Sequence, residues 1–117
     1  MTQLNALYTI VKQNQDAIYL HLKREHPVYQ GHFPGNPITP GVLTLQMVRE
    51  CVSNAIGKNI RYHTIKKCRF LGLVKPENDL KLTFSTTETN GIVTVNALLS
   101  NAENDDDVRL ELESEML

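Results

Sequence analysis

The stretch Gln30-Gly31-His32-Phe33-Pro34-Gly35-Asn36-Pro37-Ile38-Thr39-Pro40-Gly41, continued by Val42-Leu43-Thr44-Leu45-Gln46-Met47-Val48-Arg49-Glu50-Cys51-Val52-Ser53-Asn54-Ala55-Ile56-Gly57, divides into a loop and a helix. Three prolines fix φ in the first part and three glycines permit unusual φ. Such a loop suits a side chain that must be held in one place, and His32 is that side chain. From Val42 to Ile56 there is no Gly or Pro. Thr39 is the expected N-cap, Pro40 the first helical residue with a preset φ and no N–H to leave unpaired, and Gly57 the C′ residue. Val42, Leu43, Leu45, Met47, Val48, Cys51, Val52, Ala55 and Ile56 cover most of the circumference, which predicts a helix buried nearly all round. Its one polar stripe is Gln46, Arg49, Glu50 and Ser53, which fall within about 100° of one another.

Outward from this helix the pattern changes to period two. On the N-terminal side, Leu4 to Gln13 and Ala17 to Arg24 read as strands joined at Asn14-Gln15-Asp16, and Glu25 to Thr39 reads as the rigid loop. On the C-terminal side, strands are expected over Arg61 to Leu73 with a bend near Gly72, Asp79 to Glu88, Ile92 to Ser100 and Val108 to Met116. Asn90-Gly91 marks a tight hairpin turn, and Asn101 to Asp107 reads as a polar turn. Two strands, one long helix and four strands fit an α+β fold in one domain, residues 1–117. A curved antiparallel sheet of five to six strands wraps around one long central helix. One helix leaves the outer face and the edges of such a sheet uncovered, so a dimer is expected.

A net charge of −1 and the lack of a recognition motif argue against nucleic acid as a partner. No apolar run approaches the ~20 residues of a membrane span. Met1 to Gln15 lacks the basic and apolar regions of a secretory signal, which makes the cytoplasm the expected compartment. Cys51 and Cys68 have no CxxC spacing and read as buried thiols. No His, Cys and carboxylate cluster has ligand spacing, so no metal is expected. Charge is segregated along the chain. Lys58, Arg61, Lys66, Lys67, Arg69 and Lys75 lie in a run without acids, while Glu103 to Glu115 is strongly acidic. Two solvated faces would account for this; so would a basic patch for a small acidic protein.

The chemistry gathers around His32. The backbone N–H groups of Gly41 and Val42 open the helix and have no intrahelical partner, so they can face an anion or a polarised carbonyl. Gln46 and Glu50 follow one turn apart on the polar stripe. An imidazole, a carboxylate and a helix N-terminus together can abstract a proton next to a carbonyl while a carboxylic acid helps a hydroxyl depart. A loop histidine can equally be structural. His21, His26 and His63 have no such setting and read as structural.

The segment from Pro27 to Leu43 closely resembles the active-site motif of the 3-hydroxyacyl-(acyl-carrier-protein) dehydratases of bacterial fatty acid synthesis, through its His-Phe-Pro-x-x-Pro-x-x-Pro-Gly-Val-Leu core. A weaker likeness continues through Arg69-Phe70, Val74, Pro76 and Leu80. The resemblance implies a hotdog fold, a homodimer or trimer of dimers with acyl tunnels at the subunit interface, and no cofactor. It implies an acyl carrier protein or coenzyme A thioester as substrate. His32 would match the catalytic histidine, and Gly41 the residue whose amide holds the thioester carbonyl. Tyr29 and Phe33 would line or gate the tunnel, with Pro40 and Val42 beside them in the substrate-binding set. Because acyl carrier protein is acidic, Lys58, Arg61, Lys66, Lys67, Arg69 and Lys75 become docking candidates.

One position departs from the motif. The family's catalytic carboxylate comes fourteen residues after the histidine, and here that residue is Gln46, which cannot donate and recover a proton as a carboxyl group does. The family often carries Gln one turn later, where this chain has Glu50. Three readings stay open: Glu50 takes over the carboxylate role from ~6 Å further along the helix; His32 acts alone on an easier leaving group; or the chain binds acyl groups with little turnover. Glu50 could instead simply pair with Arg49 or a neighbouring basic residue. The alternatives to dehydration are thioester hydrolysis, with Glu50 activating water, and an acyl-binding partner subunit that completes an active homologue.

Overall fold

The computed structural model describes residues 7–31, 35 and 37–117. In chain order the elements are β1 (Tyr8–Gln13), β2 (Ile18–Leu22), α1 (Val28–Gly31), α2 (Gly41–Ile56), β3 (Tyr62–Phe70), β4 (Leu80–Thr89), β5 (Ile92–Asn101) and β6 (Asn104–Met116). The strands form one six-stranded sheet in the order β1-β2-β4-β5-β6-β3, antiparallel throughout. This is the expected hotdog arrangement, a sheet laid around one long helix. Among the described residues no helix is long and apolar enough to cross a membrane.

The turns follow from their residues. Asn90 and Gly91 both have positive φ, 54° and 79°, the requirement of the two-residue turn whose twist matches its strands. It sets the β4–β5 register with Thr89 opposite Ile92. In the first hairpin the Asn14 side-chain oxygen accepts the Asp16 and Ala17 amides, each at 2.9 Å, closing the turn from within.

The core forms where α2 meets the inner face of the sheet. Thr44, Met47, Val48, Cys51 and Val52 of the helix are buried, as are Ile18, Leu20, Leu82, Val95, Leu99 and Leu110 of the strands. The alternation of buried and exposed residues along β5 is the period of two that sorts one face inward.

Several expectations are corrected. The helix is buried on one face only: Val42 is 72% exposed, Ala55 is exposed, and Leu43, Leu45 and Ile56 are half-buried. A single sheet covers a single face, however apolar the others are. Pro40, not Thr39, takes the N-cap position, with φ −56° and ψ 142° and no side-chain cap bond. The rigid loop contains the short helix α1, and the fifth strand runs on to Asn101 while β6 already begins at Asn104. Asn104 pairs with Asn101 and Val108 with Ser100, so Asp105, Asp106 and Asp107 form a bulge between adjacent pairs and are carried within β6 despite their weak β preference. Cys51 is a buried free thiol as expected, but Cys68 is exposed. Of the first expected strand, Leu4 to Gln13, residues 4–6 lie outside the described residues.

The basic and acidic runs, distant in sequence, become neighbours because β3 pairs with β6. Lys67 and Arg69 approach Glu111 at 3.2 and 3.4 Å, and Lys66 approaches Glu115 at 3.4 Å. β3 is also an edge of the sheet. Apart from Tyr62 its residues are exposed on both faces, Ile65 and Phe70 among them, and Leu71 and Leu73 continue the apolar surface past its end.

Candidate active site at the start of the long helix

The approach to α2 is fastened at two points. Tyr29, buried on α1, shares a 2.8 Å hydrogen bond between its hydroxyl and that of Thr39. Burial pushes its phenol above the usual range, against the opposing pull of the Thr39 bond. The Thr39 amide donates to the Val74 carbonyl at 2.7 Å, which ties the helix entrance to the loop after β3. Thr39 is therefore committed to Tyr29 and Val74, and the cap position falls one residue later. His32 and Phe33 lie outside the described residues.

At the helix start the Leu43 and Thr44 amides both donate to the Pro40 carbonyl at 3.1 Å, and the Thr44 hydroxyl donates to it at 3.2 Å. The Gly41 and Val42 amides have no backbone partner among the described residues. The ring of Phe70 covers this point closely: a Cβ at Gly41 would stand 3.2 and 3.3 Å from two of its ring carbons. Gly41 is thus a glycine of close approach. Phe70 enters the site as a residue to which the sequence assigned no role, although Arg69-Phe70 was part of the weaker likeness. Phe70, 45% exposed, and Val42, 72% exposed, give the helix start an apolar surround. Donors set in apolar walls act on a carbonyl more strongly than they would in water.

Further along α2 the polar stripe is occupied. The Gln46 side-chain amide donates to Glu50 Oε2 at 3.2 Å, and the Tyr8 hydroxyl donates to Glu50 Oε1 at 2.9 Å. Burial first, then the adjoining Cys51 thiol and Glu50 carboxylate, push the Tyr8 phenol far above its ordinary value, so it stays a donor. Burial likewise raises the Cys51 thiol to about 11, which keeps it neutral. Arg49 donates to the Ile60 carbonyl at 3.2 Å, and Ser53 Oγ accepts the Ile60 amide at 3.3 Å. Glu50 is nine residues past Gly41, roughly 14 Å along the axis.

The six docking candidates are spread over both ends of the helix. Lys58 and Arg61 follow its C-terminal end, and Lys58 pairs with Glu88. Lys66, Lys67 and Arg69 pair with β6. Lys75 follows Val74, the residue bound to Thr39, and lies by the helix start.

Comparison with known proteins adds to this geometry. A family model described as ApeI-like, ApeI dehydratase, matches residues 9–110. The 3-hydroxyacyl-[acyl-carrier-protein] dehydratase FabZ of Caldanaerobacter subterraneus subsp. tengcongensis is 39% identical over 66 residues, which are 50% of this chain and 47% of that protein. The FabZ of Sulfurimonas denitrificans is 29% identical over 101 residues, 74% of this chain and 68% of that one. The match to the first of these spans about half the length of that curated relative. Among solved structures, the dehydratase heterocomplex ApeI:P from Xenorhabdus doucetiae superposes with a TM-score of 0.74 at 20% identity, covering 93% of this chain and 96% of that one. A hypothetical thioesterase protein with coenzyme A from Streptococcus pneumoniae superposes at 0.63 and 12% identity, covering 93% of this chain and 83% of that one. At these identities the two structures share the fold.

Proposed function

Because the chain belongs to the ApeI-like dehydratase family, we propose that it removes water from 3-hydroxyacyl thioesters carried on acyl carrier protein, giving the trans-2-enoyl thioester. The observation that carries this reading is the start of α2. The Gly41 and Val42 amides have no backbone partner among the described residues, and the Phe70 ring packs against Gly41, nine residues after His32 in the motif. The Gly41 and Val42 amides hold the thioester oxygen. His32 takes the α-proton, and the electron pair spreads onto that oxygen. The bond from C3 to oxygen then breaks as the imidazolium returns the proton to the departing hydroxyl. Water leaves and the histidine ends neutral. Gln46 orients the hydroxyl without taking part in proton transfer. This agrees with an amide at that position and with Glu50 already bonded on both oxygens, roughly 14 Å past the helix start.

The edge strand β3 supports a second chain as part of the assembly. Its exposed apolar residues Ile65 and Phe70, with Leu73 and Val42 beside them, are 43%, 45%, 50% and 72% exposed. An unpaired edge with such residues is a template for strand pairing. A copy of this chain gives a homodimer or a trimer of dimers, and a different dehydratase-like chain gives a heterocomplex. The mass of the purified protein in solution, alone and with such a partner, separates them. The two free thiols fit a reducing, cytoplasmic compartment.

The decisive assay follows enoyl absorbance when purified protein meets a 3-hydroxyacyl thioester. His32→Ala is expected to lower the rate by ~10²–10⁴, the usual contribution of a general base. Unchanged activity in that variant would remove His32 from the mechanism. Free acid and thiol without enoyl product would identify a thioesterase instead. Silence until a second subunit is added would identify an acyl-binding partner.

A further inference from the structure

The segment that follows β3 is held from two sides in alternation. Phe70 packs its ring against Gly41 at the helix start, and the Val74 carbonyl accepts the Thr39 amide at 2.7 Å. Between them, Leu71 and Leu73 are held by β6. The Leu71 amide donates to the Arg109 carbonyl at 3.0 Å, and Arg109 Nη1 donates to the Leu73 carbonyl. Gly72 lies so close to the arginine stem that a Cβ there would stand 2.9 Å from Arg109 Cδ. One arginine thus meets three consecutive residues, and their outer neighbours are the two that meet the helix start.

Arg109 is itself fixed. Asp107, at the end of the β6 bulge, takes its guanidinium on both oxygens, Nε at 2.9 Å and Nη2 at 2.7 Å. With Nη1 on Leu73 all three nitrogens are engaged, and the planar group has one orientation. The same bonds hold the Asp107 carboxyl below its ordinary value, which keeps the pair ionised. Bulges re-aim side chains, and this one sets a carboxylate beside the arginine two residues on. Asp105, in the same bulge, pairs instead with Lys81 at 3.1 Å.

We infer that Arg109, oriented by Asp107, is a positioning residue for the helix start: through residues 71–73 it sets where Phe70 and Val74 meet α2, and on the dehydratase reading, on which this rests, how the Gly41 and Val42 amides stand toward the thioester oxygen. Arg109 touches neither amide. Its effect passes through the segment that it holds.

The test uses the full-length protein and a 3-hydroxyacyl-coenzyme A thioester. Arg109→Ala is expected to lower kcat about ten-fold with KM within about two-fold, because misplaced donors fail mainly in the transition state. Arg109→Lys keeps the charge but not the fork, so it is expected to recover less than half of the lost rate. Gly72 is outside the left-handed region, so Gly72→Ala tests the contact alone. It is expected to lower kcat in the parent and to cost nothing further beside Arg109→Ala, where the methyl has room. Asp107→Asn is expected to lower kcat about three-fold, while Asp105→Asn, the same change in the same bulge, leaves it unchanged. Full activity in Arg109→Lys, additive losses in the double variant, or equal effects of the two asparagines would overturn the inference. Should Arg109→Ala fail to fold, Arg109→Lys and the two asparagine variants decide it. An isotope-labelled sample gives a readout independent of turnover. In Arg109→Ala the Thr39 amide is expected to exchange faster, and the Gly41 signals to move toward those of a Phe70→Ala sample, while the Arg61 amide, bonded to the Leu117 carbonyl, exchanges as before. Equal acceleration at Arg61 would mean a general loosening of the fold and overturn the positioning role. Should His32→Ala leave the rate untouched, the dehydratase reading fails while the Thr39 and Gly41 signals still decide whether Arg109 sets the helix start.

Discussion

The two ends of α2 belong to one helix and are finished in opposite ways. At the C-terminal end the polar groups are closed off. Gly57, at φ 73°, and Lys58 both donate to the Ser53 carbonyl, at 3.0 and 3.1 Å, while Arg49 and Ser53 bind the backbone of Ile60. At the N-terminal end no side chain caps the helix, and two amides have no partner among the described residues. The surface around them is exposed and apolar. Under the proposed function, one element thereby serves stability and chemistry without conflict. The closed end anchors the helix, and under that proposal the open end keeps its donors for the thioester.

The sharpest way to break this comparison is to place the same methyl group at each end. Gly41→Ala puts a Cβ within 3.2–3.3 Å of the Phe70 ring. The ring is half-exposed and contacts through its far atoms, so it can yield by a few tenths of an ångström. Alanine is also the better helix former by up to ~1 kcal/mol. Stability is therefore expected to hold or rise, while kcat/KM falls about ten-fold, or about 1.4 kcal/mol of transition-state binding, as ring and amides shift. Thermal melting and enoyl formation measured on one sample decide it. A variant that melts early yet keeps its rate would mean that the open end serves only the fold.

At the other end Gly57→Ala keeps open space around the new Cβ but forces a left-handed conformation on it. The expected loss is about 1 kcal/mol of stability, which at this chain length lowers Tm by about 4 °C, with the rate per folded molecule unchanged. A rate that fell together with Tm would show the two ends to be coupled.

How far these roles are legible in the sequence depends on how local they are. The helix, its closing glycine, the Asn90-Gly91 turn and the alternating strands are set by neighbours a few residues apart, and the structure has them in place. What depends on distant partners is not legible. Thr39 reads as a cap until Tyr29 and Val74 claim it. Asp105 to Asp107 read as a turn until the pairing of Asn104 and Val108 with β5 holds them as a bulge within β6. Val42 belongs to a buried pattern until the sheet proves to cover only one face. The motif residues at the helix start can be read because their spacing is itself the signal. Phe70 and Tyr8 reach the site across 29 and 42 residues, Phe70 against Gly41 and Tyr8 against Glu50, and nothing local announces them.

The smallest expected effect concerns charge at the two ends. Lys66, Lys67 and Arg69 already face the carboxylates of β6, and Lys58 faces Glu88 beyond the closed end. Lys75 has no ion-pair partner among the described residues, and its neighbour Val74 is bonded to Thr39 beside the open end. If an acidic carrier delivers the acyl chain to the open end, Lys75→Glu weakens its approach and Lys58→Glu does not. A rim charge acts mainly on encounter rate, so KM for the carrier-linked substrate is expected to rise only about three-fold in Lys75→Glu, and less at high salt. The coenzyme A thioester, which lacks the carrier protein's acidic surface, is the control. It should respond less to Lys75→Glu, and equal responses of the carrier-linked substrate to the two lysine variants would remove docking from the open end.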